Sequence, residues 1–180
     1  MSRKKSQDTI RALLEDEPKR GRPRHKVPRQ SVYLALSKEQ KATLSLIASK
    51  LPAPIKRADV PDMAVIALST RLNKVRSAMA GRDRELPEGI TDMQSLYFLW
   101  DLALPDGSAE TTWTSIRLSP NQVMAFGRLQ GTFNALFGAN RSQVFTLALS
   151  VLHQVVERYS LQSLRSLDEF EQLLETKDKM

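Results

Sequence analysis

The sequence predicts a mainly α fold in which two short strands pair into one antiparallel ribbon, with about six helices around it. Residues 31–37 (Ser-Val-Tyr-Leu-Ala-Leu-Ser) and 113–119 (Trp-Thr-Ser-Ile-Arg-Leu-Ser) are alternating segments, each closed by a serine. Leu36-Ser37 and Leu118-Ser119 lie 82 positions apart, and each segment is followed by two amphipathic helical patterns, which makes an internal repeat. A strand with one apolar face cannot bury it alone, so the two segments are expected to pair.

The elements follow in order. Residues 1–28 form a flexible basic arm with a weak helical stripe (Ile10, Leu13, Leu14) that stops at Pro18. The first repeat spans 29–80. Val32, Leu34 and Leu36 share one face of its strand, and Ser31, Tyr33 and Ala35 share the other. Ser37 with Gln40 forms a capping box, so a helix starts there and carries Leu44, Ile47 and Leu51 to Pro52-Ala-Pro54. A second helix begins near Asp59, with Pro61 in its first turn, and reaches about Ala80. Residues 81–111 connect the repeats through a charged loop, a helix capped by Thr91 with Gln94 and carrying Leu96, Tyr97, Trp100 and Leu104, and a turn at Pro105-Asp-Gly107.

The second repeat, 112–159, repeats the plan. Thr114, Ile116 and Leu118 face inward, while Trp113, Ser115 and Arg117 face out. Ser119 with Gln122 again forms a capping box, and Phe126, Leu129, Phe133 and Leu136 make a stripe that Gly138 ends. Gly127 and Gly131, inside that pattern, point to close helix packing. A further helix opens at Asn140-Arg-Ser142 and reaches about Tyr159. Residues 160–180 hold a C-terminal helix capped by Ser166 with Glu169. Its stripe, and that of the connecting helix, either cover the core or offer a surface for self-association.

A chain of 180 residues that is 41% apolar can bury a core. The absence of cysteine excludes disulfides and thiolate metal sites and suits a reducing compartment. No apolar run reaches membrane-spanning length, and Met1-Ser-Arg-Lys-Lys leads into charged sequence, so the expected location is the cytoplasm, with no membrane partner. The net charge of +7 is concentrated: residues 1–30 hold ten Lys or Arg against four acids, hence +6, and the rest of the chain is nearly neutral. A basic arm on a neutral body suits a polyanionic partner. His25 and His153 are isolated, and no nucleophile elbow, phosphate-cradling glycine loop or metal-ligand spacing is present. Nothing argues for an enzyme, a cofactor or a metal.

Strand, capped helix, turn and second helix, met twice, resemble the ribbon-helix-helix superfamily of the Arc and methionine repressors. The resemblance covers residues 29–80 and 112–159 and is most specific at Gly138-Ala-Asn-Arg-Ser142, similar to that family's turn between its helices. It implies an intramolecular pseudo-dimer, a tandem ribbon-helix-helix in one chain, that binds double-stranded DNA. The ribbon would lie in the major groove, with Ser31, Tyr33, Ala35, Trp113, Ser115 and Arg117 on base edges. Arg117 suits guanine, whose O6 and N7 a guanidinium binds bidentately. Asn140, Arg141 and Ser142 would hold a backbone phosphate at a helix N-terminus. The first repeat's turn, Pro52-Ala-Pro-Ile-Lys-Arg57, lacks the glycine, and Lys56 and Arg57 would supply point charges instead.

The arm carries a second resemblance. Arg20-Gly21-Arg22-Pro23, flanked by Lys19 and Arg24, resembles the core of an AT-hook, whose extended backbone follows a narrow minor groove. Together these imply a sequence-specific, nucleoid-associated transcriptional regulator. Two other roles stay open: an architectural or accessory DNA-binding factor of a plasmid or mobile element, and a protein-interaction adaptor whose arm only solubilises it.

Overall fold

The computed structural model describes residues 28–81 and 89–177. In chain order these form β1 (Gln30–Ser37), α1 (Lys38–Lys50), a 3-10 turn (Arg57–Asp59), α2 (Val60–Met79), α3 (Met93–Leu99), β2 (Thr111–Leu118), α4 (Pro120–Phe137), α5 (Arg141–Arg158) and α6 (Leu167–Lys177). The fold is mainly helical with one small antiparallel sheet, β1 beside β2. None of the described helices is long and apolar enough to cross a membrane.

The strands pair in the register that period-two alternation demands, from Gln30 opposite Leu118 to Ser37 opposite Thr111. Val32, Leu34, Leu36, Ile116 and Leu118 are buried in a continuous core, and Thr114 is half-buried. That core belongs to both repeats at once. α2 and α5 pack against each other at the centre, α5 lies on β1 and α1, and α2 lies on β2 and α4. Each second helix thus covers the strand and first helix of the other repeat more than its own.

The side-chain capping expected from the sequence is present at Ser37 and at Ser166, whose Oγ accepts the Glu169 amide at 3.2 Å, and changes at two other helices. Ser37 Oγ accepts from the Gln40 amide at 3.2 Å, and Gln40 Oε1 accepts from the Ser37 amide at 2.8 Å. Asn140 and Gln143 make the same reciprocal pair at 3.0 and 2.8 Å. Ser119, expected to form a box with Gln122, does not cap α4 with its side chain, because its neighbourhood is taken by the Asp62 carboxylate, which accepts the Ser119 amide at 3.0 Å. α3 is capped by Asp92, one residue after the expected Thr91: the Asp92 carboxylate accepts the Ser95 amide at 2.8 Å. This helix is also shorter than expected. Asp101 adopts φ 52° and the Leu102 amide turns back to the Tyr97 carbonyl at 2.8 Å, which leaves Leu104 in the following loop.

Trp100 docks α3. Its ring lies under the Arg71 guanidinium at 5.7 Å, and its carbonyl accepts from Gln154 Nε2 at 2.8 Å. The C-terminal α6 packs on α2 with Phe170 and Leu174 buried, so of the two roles open to its apolar stripe these residues take that of covering the core. On the connecting helix, Phe98 remains exposed.

Gly138, at φ 66°, ends α4 in the left-handed conformation, where the absence of a side chain is needed. Gly127 and Gly131 have a different explanation from the close packing expected of them. Both are exposed, and a Cβ at either meets nothing within 4 Å. They therefore weaken α4 without serving a contact. Gly131→Ala is expected to raise unfolding stability by about 0.4–1 kcal/mol, measured by urea denaturation. A loss of stability would show that a neighbour approaches this face.

Candidate nucleic-acid interface

Alternation along two paired strands puts every second side chain on the outer face. Ser31 stands opposite Arg117, Tyr33 opposite Ser115, and Ala35 opposite Trp113. The six residues expected to contact bases are thus brought onto one face. All are exposed except Ala35, which is half-buried; Trp113 retains 77% of its surface and Tyr33 64%. The contrast with the docked Trp100 is sharp, because Trp113 faces solvent with no ring contact among the described residues.

The two second helices aim their N-termini at opposite ends of this face, and the ends differ. At the Ala35–Trp113 end, Ser142 Oγ accepts the Ala35 amide at 2.9 Å, tying α5 to the free edge of β1. Ser142, expected on a phosphate, thus has a structural partner. Asn140 caps α5 through its carbonyl oxygen, and exposed Arg141 is steadied by Nε donating to Gln130 Oε1 at 3.2 Å. The first turn of α5 contains no acid, so the positive end of its dipole is not offset. A groove of about 930 Å³ runs here between Tyr33, Ala35 and Trp113 on one side and Asn140, Arg141 and Gln143 on the other.

At the Ser31–Arg117 end the N-terminus of α2 is already occupied by acids. Arg29, counted with the basic arm by sequence, is instead nearly buried. Its Nη1 donates to the Ala58 carbonyl at 2.5 Å and the Arg117 carbonyl at 3.2 Å, and its guanidinium pairs with Asp59 and, at 3.1 Å, with Asp62. Asp59 also accepts the Lys56 amide at 2.8 Å, and Arg57 donates to Ser45 Oγ at 3.0 Å. Lys56 and Arg57 therefore flank this end as exposed cations beside a helix terminus whose dipole is internally satisfied. Burial pushes the Asp62 carboxyl above the usual carboxylate range, opposed by the Ser119 amide and then by Arg29. No sequence signal marked Arg29 or Asp62, since their contacts join positions far apart in the chain.

Lys19, Arg20, Gly21, Arg22, Pro23 and Arg24 lie outside the described residues. The described chain begins at Pro28, beside anchored Arg29, so the arm joins the body at the Arg117 end of the ribbon. Among the described residues no group of three or more His, Asp or Glu is placed to hold a metal ion. His153 stands 3.7 Å from Glu157 on the exposed side of α5, away from the ribbon face.

Asp62→Ala removes one of the two carboxylates paired with Arg29 and leaves the Ser119 amide without its acceptor, so it is expected to cost about 1–3 kcal/mol in urea denaturation. A cost below about 1 kcal/mol would show that the network does not hold the ribbon end.

Comparisons of the chain with protein-family models, with curated proteins and with solved structures find no match, so the chemistry of the face itself must carry the functional argument.

Proposed function

We propose that this chain is a sequence-specific double-stranded DNA-binding protein, a transcriptional regulator built as a tandem ribbon-helix-helix pseudo-dimer. The observation that carries this reading is the strand register, which gathers Ser31, Tyr33, Ala35, Trp113, Ser115 and Arg117 on one exposed face between two helix N-termini. A two-stranded ribbon fits the roughly 12 Å width of a major groove and can present such side chains to base edges. The exchange of packing between repeats supports the pseudo-dimer, because each second helix covers the other repeat's strand, as two subunits sharing one ribbon would.

Roles divide by chemistry. The Arg117 side chain has no hydrogen bond or ion pair among the described residues and suits guanine O6 and N7. Asn140 and Arg141, at the unopposed N-terminus of α5, suit a backbone phosphate; Lys56 and Arg57 provide the weaker clamp at the other end. The arm, with its Arg20-Gly21-Arg22-Pro23 core, suits the adjoining minor groove.

Binding to duplex DNA, measured on a preferred and a random sequence, tests the reading. Arg117→Ala is expected to lose about 1–3 kcal/mol on the preferred site and little on random DNA, because base contacts specify and phosphate contacts position. Equal losses on both would remove Arg117 from the readout.

The arm is tested separately. Replacing Arg20 and Arg22 by Ala is expected to weaken binding most where A·T-rich sequence flanks the site, and to lower the salt slope by about 0.9 for each phosphate that is no longer neutralised. A weakening indifferent to flank composition would leave the arm as a phosphate tether.

A further inference from the structure

The outer face of the ribbon changes chemistry along its length. Ser31 and Arg117 make a polar end, Ala35 and Trp113 an apolar end, and Tyr33 and Ser115 lie between. Trp113 and Tyr33 are diagonal neighbours across the strands, as are Tyr33 and Arg117, each pair about 7–8 Å apart at the backbone. None of these three side chains has a hydrogen bond, ion pair or ring contact among the described residues. Two large aromatics left this exposed on a face with an unpaired arginine mark a contact surface rather than a core.

What the apolar end can read is limited by the groove. Base edges in the major groove offer donors, acceptors and one apolar group, the 5-methyl of thymine. An indole has no acceptor and a single N–H donor, so it cannot match the donor and acceptor of adenine or the two acceptors of guanine. Ala35 opposite it offers only a methyl. The adjoining Asn140 and Arg141 place a cation and a helix N-terminus beside this end, a setting that suits a backbone phosphate.

We propose that Trp113, with Ala35 and the ring of Tyr33, reads the 5-methyl group of thymine, so that the bound site has a fixed direction. Residues 113 and 117 lie about 13 Å apart along the strand at 3.3 Å per residue. At 3.4 Å per base pair, the thymine sits roughly four base pairs from the guanine taken by Arg117. The inference rests on the duplex-DNA reading above.

Uracil replaces thymine with loss of the 5-methyl group alone. With the full-length protein and its preferred duplex, replacing the critical thymine by uracil is expected to weaken binding by about fourfold. Trp113→Ala is expected to bind more weakly and to be indifferent to that replacement, whereas Arg117→Ala keeps the fourfold sensitivity. Because Trp113 is mostly exposed, its removal leaves the core in place; Trp113→Phe, which keeps an apolar ring, is expected to retain part of the sensitivity. If the wild-type protein binds its preferred duplex but ignores uracil at every position, or if Trp113→Ala keeps the full sensitivity, the methyl contact is overturned and the duplex reading stands. Binding no duplex above random sequence, or preferring the unpaired strand, overturns both.

Discussion

Pairing of β1 with β2 is the constraint on which the rest of the molecule depends. Ordering a residue costs roughly 1–2 kcal/mol, while burying a leucine gains about 1.5–3 kcal/mol. In an alternating strand only every second residue is buried, so a lone strand breaks even at best. Side by side, Leu34, Leu36, Ile116 and Leu118 form a common apolar floor, and α2 and α5 close it. The backbone of the ribbon is tied at both ends by side chains from those helices: Ser142 on the Ala35 amide, Asp62 on the Ser119 amide. Neither repeat owns its core, so neither forms a complete unit without the other.

The same constraint makes the outer face. Once the inward set is fixed, period two puts Tyr33, Trp113 and Arg117 outside, and no drift of one residue is permitted without exposing the core. The helices that close the floor necessarily point their N-termini at the ribbon's ends. Their unequal treatment follows from local sequence: Asp59 and Asp62 occupy the start of α2 and need Arg29, whereas α5 begins without an acid and leaves Arg141 exposed. In the proposed DNA-binding role a face with identical halves would suit a palindrome; this one has different residues on its two strands and different ends.

Much of this was legible from sequence because it depends on local periodicity. The strand faces, the box at Ser37, the helix start at Asn140 and the Gly138 terminator each follow from residues within one turn or one strand. What escaped the sequence depends on competition from afar. Ser119 carries a sound local capping signal and forfeits it to Asp62, 57 positions away. Arg29 reads as one more arm cation until Asp59 and Asp62 are seen beside it. Gly127 and Gly131 sit in a helical stripe, yet which side of α4 they occupy depends on how α2 docks, and they fall on the open side.

The most direct measurement of the central claim, one chain building one asymmetric DNA-reading ribbon, is the mass in solution of the complex with the shortest duplex that binds fully. One chain of 20.3 kDa per duplex is the expected result, and in the free protein a disulfide introduced between positions 33 and 115 is expected to close within one chain. Two chains on a palindromic duplex, with the engineered link forming only between chains, would contradict it.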